Sequence, residues 1–203
     1  REMHKMQQAT ESPPIRMEAL FRSAYQDGPA LHVGSRTLSL FANSAYEQAY
    51  EAVHLAYSKP GDVIVLRDID AAYLDYWGRL VRDVVVHDLS TWNEPNHAAY
   101  LSQVLLNTPA LLKKINDEMA PNAYLFVFFP TDLEQRLADK LRIPLYGDPE
   151  TSEHYGTKSG VRLLARRAEV PMPRGRSCAT TSEIVTAIGD AFAQPSCDEV
   201  IVK

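Results

Sequence analysis

The chain has 203 residues, 45% hydrophobic and 23% charged, with a formal net charge of -5. These are ordinary globular values, and the length suits one large or two small domains. An acidic balance argues against nucleic acid, and no apolar run approaches the ~20 residues of a membrane helix.

Residues 1–14 are polar and close on Ser12-Pro13-Pro14, so little order is expected up to Thr10. Met17, Leu20, Phe21 and Ala24 then repeat at helical spacing, ahead of the stop Asp27-Gly28-Pro29. This helix carries no nameable chemistry. It is expected to pack on the main domain, with a homodimer contact as the second reading.

Leu31 to Phe41 alternates as a strand does, Leu38 and Leu40 against Thr37 and Ser39. A helix is expected over 44–57, its stripe formed by Tyr46, Ala49, Tyr50, Val53 and Tyr57; this period indicates core more than a ligand box. Asp62 to Leu66 reads as a buried strand, 70–81 as a helix, Val84 to Val86 as a strand and 96–118 as helical. Ala123 to Phe129 is the clearest strand, and Thr131 or Asp132 caps a helix to Leu141. Ile143 to Tyr146 is a further short strand. Apolar runs without alternation, separated by helices, predict a parallel sheet covered on both faces. The expected fold class is therefore α/β, with a Rossmann-like sheet of about 120 residues.

Beyond Thr151 the pattern changes. Gly156-Thr157-Lys158-Ser159-Gly160 opens a helix with Val161, Leu164, Ala165 and Ala168 as its buried stripe, and Val170-Pro171-Met172-Pro173 ends it. Short strands are expected at 176–178 and 199–203, with a helix over 181–193 capped by Thr180, Thr181 or Ser182. Lys158 sits in the first helical turn, where the helix dipole disfavours a cation. An anion held there would reconcile the two. Lys158, Arg162, Arg166, Arg167, Arg174 and Arg176 face one acid, Glu169, across this stretch. The competing reading is a solvated basic face.

The run from Gly156 to Pro173 resembles the opening of an ATP-grasp domain, with Glu169 where the family's exit has glycine. Glu199 to Lys203 is similar to the strand carrying that family's second lysine. More narrowly, Ser39 to Lys203 resembles the pre-ATP-grasp and early ATP-grasp regions of pheganomycin-type peptide ligases. The matching pieces are Asp75-Tyr76-Trp77, Pro130 to Glu134 and Ile143 to Gly160. After an N-terminal extension and helix at 1–30, the resemblance implies a pre-ATP-grasp Rossmann-like domain at 31–149 and the first, partial subdomain of an ATP-grasp fold at 150–203. It implies ATP-phosphate contacts from Lys158 and Lys203, Mg²⁺ as the metal, and amide-bond formation through an acyl phosphate. Its Mg²⁺ carboxylates and glycine-rich lid come after the second lysine, so no catalytic residue or metal ligand is expected within these residues.

Asp68, Asp70 and Thr131 follow strands, where open α/β sheets place ligands, and are candidates for an amino-acid or peptide substrate. Helix capping is the plainer role. Ser35 and Arg36 are weaker candidates. Neither a P-loop nor a Gly-x-Gly-x-x-Gly fingerprint is present, so no nicotinamide or flavin is expected. The six histidines show no zinc spacing, and no nucleophile elbow is present. Cys178 and Cys197 suit free thiols in a reducing cytoplasm. With no basic and apolar leader at its start, the protein is expected to be cytoplasmic. Its ends suggest a segment of a longer ligase. The other class considered is a non-catalytic substrate-binding or dimerisation module.

Overall fold

The computed structural model describes residues 28–35, 51–80, 83–92, 100–195 and 197–202. The chain divides into two compact units, Arg1–His154 and Tyr155–Lys203. The expected helix at Met17 to Ala24, most of the helix over 44–57, Arg36 and Lys203 lie outside the described residues.

The first unit is α/β, built on a four-stranded parallel sheet. Its elements are β1 (Ala30–Val33), α1 (His54–Tyr57), β2 (Val63–Leu66), α2 (Ala71–Leu80), β3 (Val85–Asp88), α3 (Leu101–Asn107), α4 (Pro109–Glu118), β4 (Tyr124–Phe126) and α5 (Asp132–Leu141). A 3-10 turn spans Leu89–Trp92, and α6 (Pro149–Tyr155) runs across the division between units. The strand order is β3-β2-β1-β4. Leu31 pairs with Val63 on one side and with Leu125 on the other, so β1 is fully internal. Leu145 adds a parallel bridge to Leu125, where a longer strand over Ile143 to Tyr146 was expected.

Alternation splits the strands between two cores. Leu31, Val33, Val63, Val65 and Leu125 face Leu101, Val104, Leu105, Leu111, Ile115, Leu137 and Leu141, which come from α3, α4 and α5. Ile64 and Leu66 face the other way, onto Leu55, Tyr73, Leu74 and Trp77. The expectation of a sheet packed on both faces is met at β2.

Several boundaries differ from the sequence reading. β1 ends at Val33, and the alternation expected at Leu38 and Leu40 lies outside the described residues. In the stretch expected to be helical over 96–118, the described residues form two helices, because Pro109 cannot donate to Leu105 and disfavours a helical Thr108. Thr108 takes φ -117 and ψ 76, and Pro109 starts α4 at the first-turn position proline prefers. β4 stops at Phe126, and Phe128 is exposed.

The second unit holds α7 (Lys158–Arg167) and α8 (Thr181–Phe192). Thr157 caps α7 by accepting from the Gly160 N–H, and Thr180 caps α8 by accepting from the Glu183 N–H. The expected stripe of α7 is only partly covered: Leu164 and Ala165 are half-buried, Val161 is 50% exposed, Ala168 is exposed, and Gly160 is the helix's buried residue. Residues 176–178 and 199–202 form no strand. A strand exists only when its N–H and C=O groups find a ladder, and no described segment of this unit supplies one. Ile201 is 78% exposed accordingly.

Thr131 and Glu134 cap α5 reciprocally, the threonine accepting from Leu133 N and Glu134 accepting from Thr131 N and Oγ1. Thr131→Ala is expected to lower the unfolding free energy by about 1 kcal/mol. A urea titration should show a lower midpoint at unchanged slope.

Candidate functional site

In an open parallel sheet, ligands gather at the carboxyl ends of the strands, where the strand order reverses. Here the reversal lies between β1 and β4, because β2 and β3 extend from one side of β1 and β4 lies on the other. The residues following β1 and β4 flank this reversal, and those following β2 continue the same carboxyl-end rim.

Gly34 and Ser35 follow β1, and Arg67 and Asp68 follow β2. Arg67 lies 3.8 Å from Glu51, and both side chains are buried. Glu51 presses directly on the chain at Gly34: a Cβ there would stand 2.9 Å from the Glu51 Cβ and 3.0 Å from its Cα. Glycine is required by this close approach. Ser35 Oγ accepts from the Ser102 N–H at 3.3 Å, joining the β1 loop to the start of α3. Ser102 is fully buried, and its own Oγ has no hydrogen-bond partner among the described residues. The rim is thus a buried polar junction of Ser35, Glu51, Arg67 and Ser102. Ser35 was noticed in the sequence; Glu51, Arg67 and Ser102 were not, since nothing local distinguishes them from surface residues.

The predicted substrate residues are placed as follows. Asp68 is exposed with φ 50, and its N–H donates to Asp88 Oδ1 at 3.2 Å. Asp88 also accepts from the Ser90 N–H at 2.9 Å, so it organises two loops of the rim. Asp70 Oδ1 accepts from the Tyr73 N–H at 2.9 Å, and Asp70 O accepts from Leu74 N, the geometry of a cap on α2. Thr131 is engaged in the α5 cap. The structure brings Asp68 to the rim and gives Asp70 and Thr131 structural hydrogen bonds.

The basic run of the second unit is sorted by its partners. Arg162 donates to Gly175 O at 2.6 Å and to Pro173 O at 3.3 Å, fastening the proline-rich exit onto α7. Arg167 donates to Tyr155 Oη, Arg174 to Gln194 Oε1, and Arg176 pairs with Asp190 at 3.2 Å. Lys158, exposed at the first position of α7, has no hydrogen bond or ion pair with the described residues. The N–H groups of Lys158 and Ser159 lack intrahelical acceptors, as first-turn groups do. Four of the six cations are therefore committed to the chain itself, and Lys158 stands beside open donors at a helix start. Both cysteines are free thiols. Among the described residues, no group of three His, Cys, Asp or Glu side chains is placed to hold a metal ion, and no helix is long and apolar enough to cross a membrane.

No protein-family model matches the chain, and no curated protein matches it. Among solved structures it is similar to the biotin carboxylase domain of a single-chain bacterial carboxylase, at 21% identity and a TM-score of 0.38. The match covers 81% of this chain and 34% of that one, so the chain spans about a third of that protein's length.

Two glycines make opposite predictions. Gly34→Ala must displace Glu51 and is expected to destabilise by about 1–3 kcal/mol. Gly78→Ala, inside α2 with nothing within 4 Å of the added carbon, is expected to stabilise by up to about 1 kcal/mol. Thermal melts of the two variants should shift in opposite directions.

Proposed function

We propose that this chain is part of an ATP-dependent carboxylate–amine ligase, supplying the pre-ATP-grasp sheet and the first phosphate-binding lysine of an ATP-grasp site. The observation that carries the reading is Lys158. It is an exposed cation at the positive end of a capped helix, with no partner among the described residues, while Arg162, Arg167, Arg174 and Arg176 are engaged. An arrangement of two free N–H groups and an ammonium suits a phosphate group. The sequence resemblance from Gly156 to Pro173 supports the same assignment.

In this reading Thr157 fixes the start of α7, so that the Lys158 and Ser159 N–H groups point outward together. The Lys158 ammonium offsets charge on the terminal phosphates. Two unit charges about 4 Å apart interact by about 4 kcal/mol at an effective dielectric near 20, less where solvent reaches the pair. The chemistry is positioning and charge stabilisation as the phosphoryl group moves to a carboxylate. An amine then attacks the acyl phosphate, forming the amide and releasing phosphate. Lys203 is the proposed second phosphate lysine. Mg²⁺ would accompany the nucleotide, and no step is assigned to it here. The amino-acid or peptide substrate is proposed to approach the rim at Asp68 and Asp88, and the setting is proposed to be cytoplasmic.

The alternative is a non-catalytic substrate-binding or dimerisation module. The observation in its favour is that two of three predicted substrate residues, Asp70 and Thr131, serve as caps.

The test is phosphate release by the full-length protein across amino acids and peptides, for wild type and Lys158→Ala. The variant is expected to fold normally, since the side chain is exposed, and to lose about tenfold or more in kcat/KM for ATP. Unchanged ATP dependence in a folded variant would remove Lys158 from the site. Absence of any ATP-dependent amide product would favour the binding module.

A further inference from the structure

The first unit buries a polar chain that neither the rim nor the nucleotide site uses. Asp62, 1% exposed, stands just before β2. Its Oδ1 accepts from Ala30 N at 2.7 Å, and its Oδ2 accepts from Lys59 N at 2.8 Å and from His32 Nε2 at 3.0 Å. His32 points from β1 toward His54 of α1, their Nδ1 atoms 3.4 Å apart. His54 is fully buried and its Nε2 has no hydrogen-bond partner among the described residues. Phe128 packs on its ring at 4.2 Å and Phe126 at 5.7 Å between centroids.

These contacts order the protons. Asp62 accepts two backbone donors, which are permanent, so it is held as an anion and His32 donates from Nε2. In neutral His32 the Nδ1 is then an acceptor. His54 must donate from its own Nδ1, which leaves Nε2 as a bare lone pair under the phenyl rings. Adding a proton has two routes, both costly. Placed on His54 alone, it makes a buried cation next to His32. Relayed through the Nδ1 pair to His32, it forms an ion pair with Asp62 but leaves an Nε2–H on His54 with no oxygen to receive it.

We propose that His54 is a protonation-sensitive latch: uncharged and protonated on Nδ1, it holds segment 51–57 on the sheet, and its protonation releases that segment, including Glu51 at the rim. The lever is built into the chain. His54 lies three residues after Glu51, and the chain from Ala52 to Ala56 is a run of tight turns around it, Leu55 N donating to Ala52 O and Ala56 N to Val53 O. Loss of the His54 seat therefore loosens Glu51, whose backbone and Cβ close on Gly34 and whose carboxylate faces Arg67.

The neighbouring groups reinforce the direction. Burial, and secondly His32, push the His54 pKa from 6.5 down to about 3. Burial alone would raise Asp62, but the hydrogen bonds from His32, Ala30 N and Lys59 N bring its carboxyl below the usual value, so it stays ionised as acidification begins. The Lys59 ammonium is occupied by Gly28 O and the Tyr124 ring. Tyr57, Tyr124 and Tyr146 border the aromatic patch around Phe126, and Tyr124 is pushed up by burial first and then by Asp62 and Tyr146. Glu51, on the same segment, faces Arg67. A released His54 takes its proton near the ordinary value, whereas the docked one takes it only near 3. The docked state is fully favoured above pH 6.5 and weakens as the pH falls from 6.5 toward 3.

The experiment uses the full ¹⁵N-labelled chain. Long-range ¹H–¹⁵N spectra of the imidazoles should show His54 as the Nδ1–H tautomer at pH 7.5. Amide protection factors at Leu55, Ala56 and Ser58 should fall at least tenfold between pH 6.5 and 4.5, while those of Leu137 to Leu141 in α5 hold. His54→Leu, which keeps the apolar contacts, should abolish that pH dependence. An Nε2–H tautomer at pH 7.5, or the same pH profile in wild type and His54→Leu, would overturn the latch. Should the variant not fold, the wild-type tautomer and the contrast with α5 still decide.

Discussion

The Asp62 carboxylate is the tie on which the first unit depends. A parallel sheet has no hairpins, so neighbouring strands are brought into register by groups that reach between them. Asp62 does this at the amino ends of β1 and β2, accepting from Ala30 N on one and from His32 on the same strand, and from Lys59 N ahead of the other. β1 is then flanked by β2 and β4, its apolar residues on the main core and His32 on the opposite face. A buried anion is tolerated because its donors are fixed in place.

The two ends of the sheet have separate duties. At the amino end, Asp62, His32 and His54 link the strands to the crossover segment. At the carboxyl end, the same segment delivers Glu51 to Gly34 and Arg67, while Ser35 and Ser102 join β1 to α3. One short stretch, residues 51–57, therefore touches both ends. That is why a proton at one end has a mechanical consequence at the other.

The second unit shows how a basic run divides into structural and open cations. An arginine has a planar fork that suits fixed carbonyl and carboxylate partners, and Arg162, Arg167, Arg174 and Arg176 are used in this way. Lys158 is a point charge at a helix start whose backbone donors remain open. Charge counting treats all six alike; partner geometry sets four of them apart, and of Lys158 and Arg166 it is Lys158 that stands at the helix start.

Much of the first unit was legible in order along the chain. The apolar run at Val63 to Leu66, the core of the longer strand expected over Ala123 to Phe129, the helix expected over 70–81, and a cap at Thr131, one of two residues expected there, follow from local period and local hydrogen bonding, as do the caps at Thr157 and Thr180 in the second unit. The break at Pro109 was legible too, but the apolar period across it masked a proline constraint. The strands expected at 176–178 and 199–202 did not form, because β propensity without a ladder leaves backbone groups unpaired. Element type and caps are set within about four residues, and the sequence by itself determined those. Strand order, the burial of Glu51 on Gly34, the meeting of Asp62, His32 and His54, and the partners of each arginine were decided only by the tertiary structure. Those contacts join residues separated by ten or more positions, whose meeting depends on crossovers and packing rather than on any local pattern.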